Sequence, residues 1–122
     1  MQENVGIVRT EKEMISALEK LESFRARTSR VGVNGNREFN PGWHTALDLQ
    51  NLLTVSEAIT RAAIERKESR GAQFREDFPN KDPKFGNVNT IVWRGDDGEM
   101  KVRLDPIPEV PQELKQIIEE NR

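Results

Sequence analysis

Apolar residues at Met14, Ala17, Leu18, Leu21 and Phe24 recur in steps of three and four, while Glu11, Lys12, Glu19, Lys20 and Glu22 fill the other faces. That period predicts an amphipathic helix over about 11–27 with one narrow apolar stripe. Thr10 stands where its N-cap belongs, and Glu13, three residues on, completes a capping box. The stretch TSRVGVNGNREFN has turn residues and no period. Asn40 and Pro41 then open a second helix, with proline at its favoured first position. From Pro41 to Arg70 there is no further proline, and Gly42 is the only glycine. One helix over 41–70, about 45 Å long, is the expectation. Gly71 would cap its C-terminus behind a basic last turn.

The second helix is apolar over an unusually wide arc. Ala46, Leu49, Leu52, Leu53, Ile59 and Ala63 share one side at 100° per residue, and Trp43, Leu47, Val55, Ala58 and Ala62 cover much of the other. The first helix can cover only one of these sides, so a further neighbour is expected. Beyond Gly71, prolines 79 and 83 argue against regular structure to about residue 86. NTIVWR and EMKVRL flank the turn GDDG and predict a β-hairpin over 89–104. Prolines 106, 108 and 111 end it, and a short helix over 111–120 places Leu114, Ile117 and Ile118 on one face. The chain thus divides into a helical region over 1–75 and an extended tail over 76–122.

Composition narrows the classes. With 122 residues the chain holds one domain. The net charge of −2 gives no global attraction to nucleic acid or anionic membrane, and no nucleic-acid partner is expected. The absence of cysteine removes disulfides, thiolate nucleophiles and cysteine-held metals, and suits a cytoplasmic setting.

Candidate chemistry is sparse. His44 is the only histidine, has no second ligand to complete a metal site, and reads as structural or solvent-exposed. No serine lies in a nucleophile elbow, and Gly32 to Gly35 form neither a phosphate loop nor a dinucleotide fingerprint. No catalytic, cofactor-binding or metal residue is assigned. The remaining feature is RKESRGAQFREDFPNKD, residues 66–82. It reads either as a charged helix end followed by a solvated loop, or as a guanidinium cluster of Arg66, Arg70 and Arg75 that engages carboxylates or phosphate on another surface.

This segment, with the helix before it, resembles the C-terminal domain of succinate dehydrogenase and fumarate reductase flavoprotein subunits. The family pattern is a long helix with L-x-L-x-N-[ML], then R-x-E-S-R-G-A-H-x-R-x-D-[FY]-P-x-[RK]-D. Leu47, Leu49, Asn51 and Leu52 match the first part. Arg66, Glu68, Ser69, Arg70, Gly71, Ala72, Arg75, Asp77, Phe78, Pro79 and Asp82 match the second. Gln73 and Asn89 stand where the family usually has histidine, so roles tied to those histidines do not carry over.

The resemblance implies a mainly α fold: a spectrin-repeat-like bundle of long antiparallel helices, with one family helix absent, followed by an extended tail with a small β-hairpin. It implies a parent enzyme that interconverts succinate and fumarate with FAD bound in other domains, and no cofactor in this chain. Arg66, Glu68, Ser69, Arg70, Gly71, Arg75, Asp77 and Pro79 become the docking signature, with Arg70, Arg75 and Asp77 foremost. The expected partners are the FAD-binding domain of the same parent chain and an iron–sulfur subunit, with the complex peripheral on the cytoplasmic membrane face. By itself the chain is expected to form a homodimer through the groove left on helix 41–70. The alternative is a free-standing helical adaptor derived from the same family.

Overall fold

The computed structural model describes residues 1–121. A two-residue strand β1 (Val8–Arg9) leads into helix α1 (Glu11–Thr28), and a loop without regular structure connects it to helix α2 (Pro41–Glu65). A second two-residue strand, β2 (Phe74–Arg75), and a single helical turn, α3 (Pro83–Gly86), follow. The chain ends in strands β3 (Val88–Arg94) and β4 (Met100–Pro106) and helix α4 (Gln112–Glu120).

The first helix starts where its local chemistry directs. The Thr10 hydroxyl accepts from the Glu13 N–H, and the Glu13 carboxylate accepts from the Thr10 N–H at 3.0 Å, which completes the capping box. The loop between the helices folds α2 back beside α1. Gln50 donates to the Thr28 hydroxyl at 2.8 Å, Arg25 pairs with Glu57 at 2.8 Å, and Lys67 approaches Glu11. Contacts that run in opposite sequence directions define an antiparallel pair. Its core is small: Met14 and Ala17 of α1 and Ala63 of α2 pack with Val5, and Leu21 and Leu53 are buried nearby.

Two hydrophilic groups sit among these residues. Glu57 receives Arg61 at 2.7 Å and Arg25 at 2.8 Å. Burial pushes its carboxyl up, but the two arginine bonds outweigh that and hold it below the ordinary value. Thr60, fully buried, donates to the Ser56 carbonyl at 2.7 Å and so costs the core no unpaired hydroxyl.

The hairpin supplies the further neighbour that α2's wide arc demands. Strands β3 and β4 are antiparallel, with Val88 opposite Pro106 and Arg94 opposite Met100. Val88, Thr90 and Val92 alternate with exposed residues along β3, and with Val102 and Leu104 they form the covered face. Both strands contact α2. The turn needs Gly98, whose φ of +81° lies in the left-handed region. Asp97 braces it by accepting from the Glu99 N–H and pairing with Lys101 at 2.6 Å. Even so, Leu52, Val55 and Ile59 of α2 remain about half exposed.

The second helix ends differently from the sequence expectation of 41–70. It stops at Glu65, and Arg66 takes an extended conformation at ψ 90°. The last helical turn therefore has no basic residue, and Gly71 does not cap it. Gly71, at φ +58°, instead turns the chain between Arg70 and Gln73, which exchange backbone hydrogen bonds of 2.9 and 3.1 Å. The physical reason is that the helix's terminal carbonyls are satisfied from outside the helix, by a side chain ten residues downstream.

Candidate functional site

That side chain is Arg75. Strand β2 pairs in parallel with β1, through Phe74 N–H to Ile7 and Glu76 N–H to Arg9, and this aims Arg75 between the ends of both helices. Its Nη1 donates to the carbonyls of Ala63 at 2.9 Å, Ile64 at 3.3 Å and Arg66 at 3.5 Å. Those carbonyls form the negative end of α2, where a guanidinium is favoured. Its Nε and Nη2 each meet a different oxygen of Asp77 at 2.7 Å, a bidentate pair. Asp77 also accepts from the Glu11 N–H at 2.9 Å, at the positive end of α1. One ion pair thus complements both helix termini. Phe78 covers the guanidinium face at 5.0 Å, and Arg75 is 0% exposed.

A second ionic node lies five to nine residues before Arg75 in sequence. Glu68, also 0% exposed, receives Arg70 at 2.8 Å and Arg66 at 2.9 Å on one oxygen, and the Asp82 N–H at 2.9 Å on the other. Arg66 reaches on to the Phe85 carbonyl and stacks over the Phe85 ring, which is buried beneath it. Arg70 reaches the Asp82 carbonyl at 3.2 Å. Ser69 joins the nodes: its hydroxyl donates to the Phe78 carbonyl at 2.9 Å and accepts from the Arg75 N–H at 2.8 Å.

These contacts fix the protonation states. The hydrogen bond from Arg70, with those from the Asp82 backbone and Arg66, outweighs burial and holds the Glu68 carboxyl down at about 2. The bond from Arg75 likewise holds Asp77 at about 2. Glu68 in turn raises Arg70 above the ordinary arginine value. Such carboxylates are fixed anions near neutral pH. Acid–base catalysis needs groups that change charge there.

The structure therefore divides the segment that the sequence grouped together. Arg66, Glu68 and Arg70 meet at one node, Arg75 and Asp77 at the other, and Gly71 makes the turn between them. Arg75 has no surface left to offer a partner, and its bonds are internal. Arg70 retains 36% side-chain exposure, and Pro79 is exposed. His44 lies exposed in the first turn of α2, away from both nodes.

Several participants escaped the sequence reading. Gln73 donates to the carbonyls of Arg66 at 3.0 Å and Glu68 at 3.3 Å and accepts from Arg9. An amide offers that donor–acceptor pair in one fixed orientation. Arg9, Glu11 and Phe85 are equally part of the arrangement, the last two through backbone atoms that no motif marks, and Asp82, a residue of the family pattern, enters through its N–H and carbonyl. Among the described residues no group of three potential metal ligands occurs, and no helix is long and apolar enough to cross a membrane.

Two antiparallel helices, locked at one end by buried ion pairs and flanked by a hairpin, define a small helical domain organised around a structural polar site. The chain belongs to the succinate dehydrogenase/fumarate reductase flavoprotein family: residues 1–118 match its fumarate reductase flavoprotein C-terminal domain. It is 34% identical over 103 residues to a fumarate reductase flavoprotein subunit of Mycobacterium tuberculosis, covering 84% of this chain and 18% of that one. The succinate dehydrogenase flavoprotein subunit of Coxiella burnetii is 34% identical over 117 residues, covering 88% and 20%. Among solved structures, Mycobacterium smegmatis Sdh1 in complex with UQ1 superposes with a TM-score of 0.82 at 36% identity, covering 99% of this chain and 21% of that one. The chain thus spans about a fifth of the length of these relatives.

Proposed function

We propose that this chain serves as the C-terminal docking domain of a flavin-dependent succinate dehydrogenase or fumarate reductase, packing against the FAD domain and an iron–sulfur subunit without carrying out turnover. The observation that carries this reading is the saturation of the ESRGA segment. Glu68 is held as an anion by Arg70, the Asp82 N–H and Arg66, and Asp77 by Arg75, whose remaining donors go to the end of α2, which suits a rigid scaffold and leaves neither carboxylate poised as an acid or base. The partly exposed Arg70 and the apolar stripe Leu52, Val55 and Ile59 offer surface for the packing. FAD belongs, in this reading, to the remainder of the parent protein, and a peripheral place in a membrane complex follows from that assignment.

Titrating the purified chain with FAD is expected to leave flavin fluorescence unchanged and to give no succinate–acceptor activity. Flavin turnover by the chain alone would overturn the reading. In the full-length parent, Arg70→Ala is expected to reduce the iron–sulfur subunit that co-purifies, while the flavin content stays unchanged. Undiminished assembly would remove Arg70 from the docking surface.

A further inference from the structure

The loop between α1 and α2 contains Asn34–Gly35, the only asparagine–glycine pair in the chain. Both residues are exposed and lie outside regular structure. Among the described residues, neither the Asn34 side chain nor the Gly35 N–H makes a hydrogen bond. Gly35 has no side chain to shield its nitrogen, so the thermolabile Asn34 amide and the next peptide nitrogen are free to meet. The Asp97–Gly98 pair in the hairpin turn is the contrast. Its carboxylate accepts from the Glu99 N–H at 3.1 Å and pairs with Lys101 at 2.6 Å, and the Gly98 N–H donates to the Gly95 carbonyl at 2.9 Å. Asn40 is followed by proline, which has no N–H, and Asn51 lies inside α2.

We propose that Asn34 is a site of spontaneous deamidation and isoaspartate formation, and that the isoaspartate form loosens the start of α2. The Gly35 nitrogen attacks Asn34 Cγ. A bond forms between them, the Cγ–Nδ2 bond breaks, and ammonia leaves with the proton from the Gly35 N–H. Water then opens the resulting succinimide at either carbonyl, and no electrons are exchanged. Opening at Cγ gives aspartate with the backbone unchanged. Opening at the other carbonyl routes the main chain through the side chain. That adds a methylene between residues 34 and 35 and turns the former Asn34 carbonyl into a free carboxylate.

That carbonyl is engaged in the fold. Asn40 Nδ2 donates to the Asn34 carbonyl at 2.8 Å and to the Asn36 carbonyl at 2.9 Å, so one amide spans the segment that would lengthen. Asn40 Oδ1 accepts from the Gly42 N–H at 3.0 Å, which is the N-cap bond of α2. The loop also sits close on the helix: a Cβ at Gly42 would lie 3.1 Å from Val33 Cγ1. An added methylene shifts the two acceptors relative to each other and draws the Asn40 amide off its cap. The modification rests on this loop and not on the docking reading above.

Incubating the 122-residue chain in warm, mildly alkaline buffer, followed by digestion and mass spectrometry, tests this. The peptide carrying Asn34 is expected to gain the mass difference between an amide and an acid and to separate into aspartate and isoaspartate isomers. Its rate is expected to lie within a few-fold of that of a synthetic peptide of residues 31–37. Peptides carrying the other asparagines are expected to keep their mass, and Asn34→Gln to abolish the change. The isoaspartate form purified from the aged chain is expected to melt a few degrees below the fresh chain. Asn34→Asp, which adds the charge without the methylene, is expected to melt with the fresh chain. A folded chain that converts more slowly than the stated range overturns the site, since the fold then shields Asn34. An isoaspartate form that melts with the fresh chain overturns the link to α2.

Discussion

Arg75→Ala is expected to lower the unfolding free energy by about 3–5 kcal/mol, because a fully buried guanidinium and all its hydrogen bonds are removed at once, even though Asp77 keeps 28% side-chain exposure. Against a typical total of about 5–15 kcal/mol, that is enough to leave much of the chain unfolded at moderate temperature. The size follows from the number of groups stranded together. Asp77 loses a bidentate partner, and the carbonyls of Ala63, Ile64 and Arg66 lose their donor. The ring of Phe78 is left over a void. Arg75→Lys keeps the charge but cannot reach Asp77 and the helix end together, so it should recover only part of the loss. Urea denaturation followed by circular dichroism measures both variants. A loss below about 1 kcal/mol for Arg75→Ala would mean that the helix end is held by something other than this guanidinium.

What the sequence revealed and what it hid follow from how local each determinant is. The start of α1 is written in Thr10 and Glu13, two residues within a span of four that needs no other part of the chain. The hairpin is written in two strand-forming runs around GDDG. The end of α2 is not written locally. Arg66, Lys67 and Gly71 imitate a basic, glycine-capped terminus, yet the helix has already ended at Glu65, because Arg75 and Gln73 supply the donors that a cap would. The same difficulty applies to the site. Arg66, Arg70 and Arg75 look like one cationic cluster when read in a line, and the turn at Gly71 sends them to two different carboxylates. The bond from the Glu11 N–H to Asp77 joins residues 66 positions apart, and nothing in either stretch foretells it. The family motif could identify these residues as a set. It could not say that their charges are turned toward one another.

Glu68→Gln is expected to cost about 2–4 kcal/mol at pH 7, somewhat below the Arg75 variant, because its partners can be partly rehydrated. Arg66 and Arg70 keep 22% and 36% side-chain exposure, whereas the carboxylate itself has none. The amide preserves the shape and can still accept from the Asp82 N–H, but its NH2 then faces Arg66 and Arg70, so the loss reports the charge together with the acceptor those arginines lose. The pH dependence separates this from a packing defect. The Glu68 carboxyl is depressed by Arg70, the Asp82 backbone and Arg66 from the ordinary 4.5 to about 2, and Asp77 by Arg75 from 3.8 to about 2. A depressed folded-state value means that the unfolded chain binds the proton more readily. The stabilisation is therefore complete above the unfolded value and is lost as pH falls toward the folded one. Wild-type stability should decline between about pH 4.5 and pH 2, with both carboxylates contributing. In Glu68→Gln only the Asp77 share of that decline remains, so the gap between the two proteins should narrow steadily on acidification. Stability curves that run parallel from pH 7 to pH 2 would show that the Glu68 charge is not what holds the Arg66–Arg70 node together.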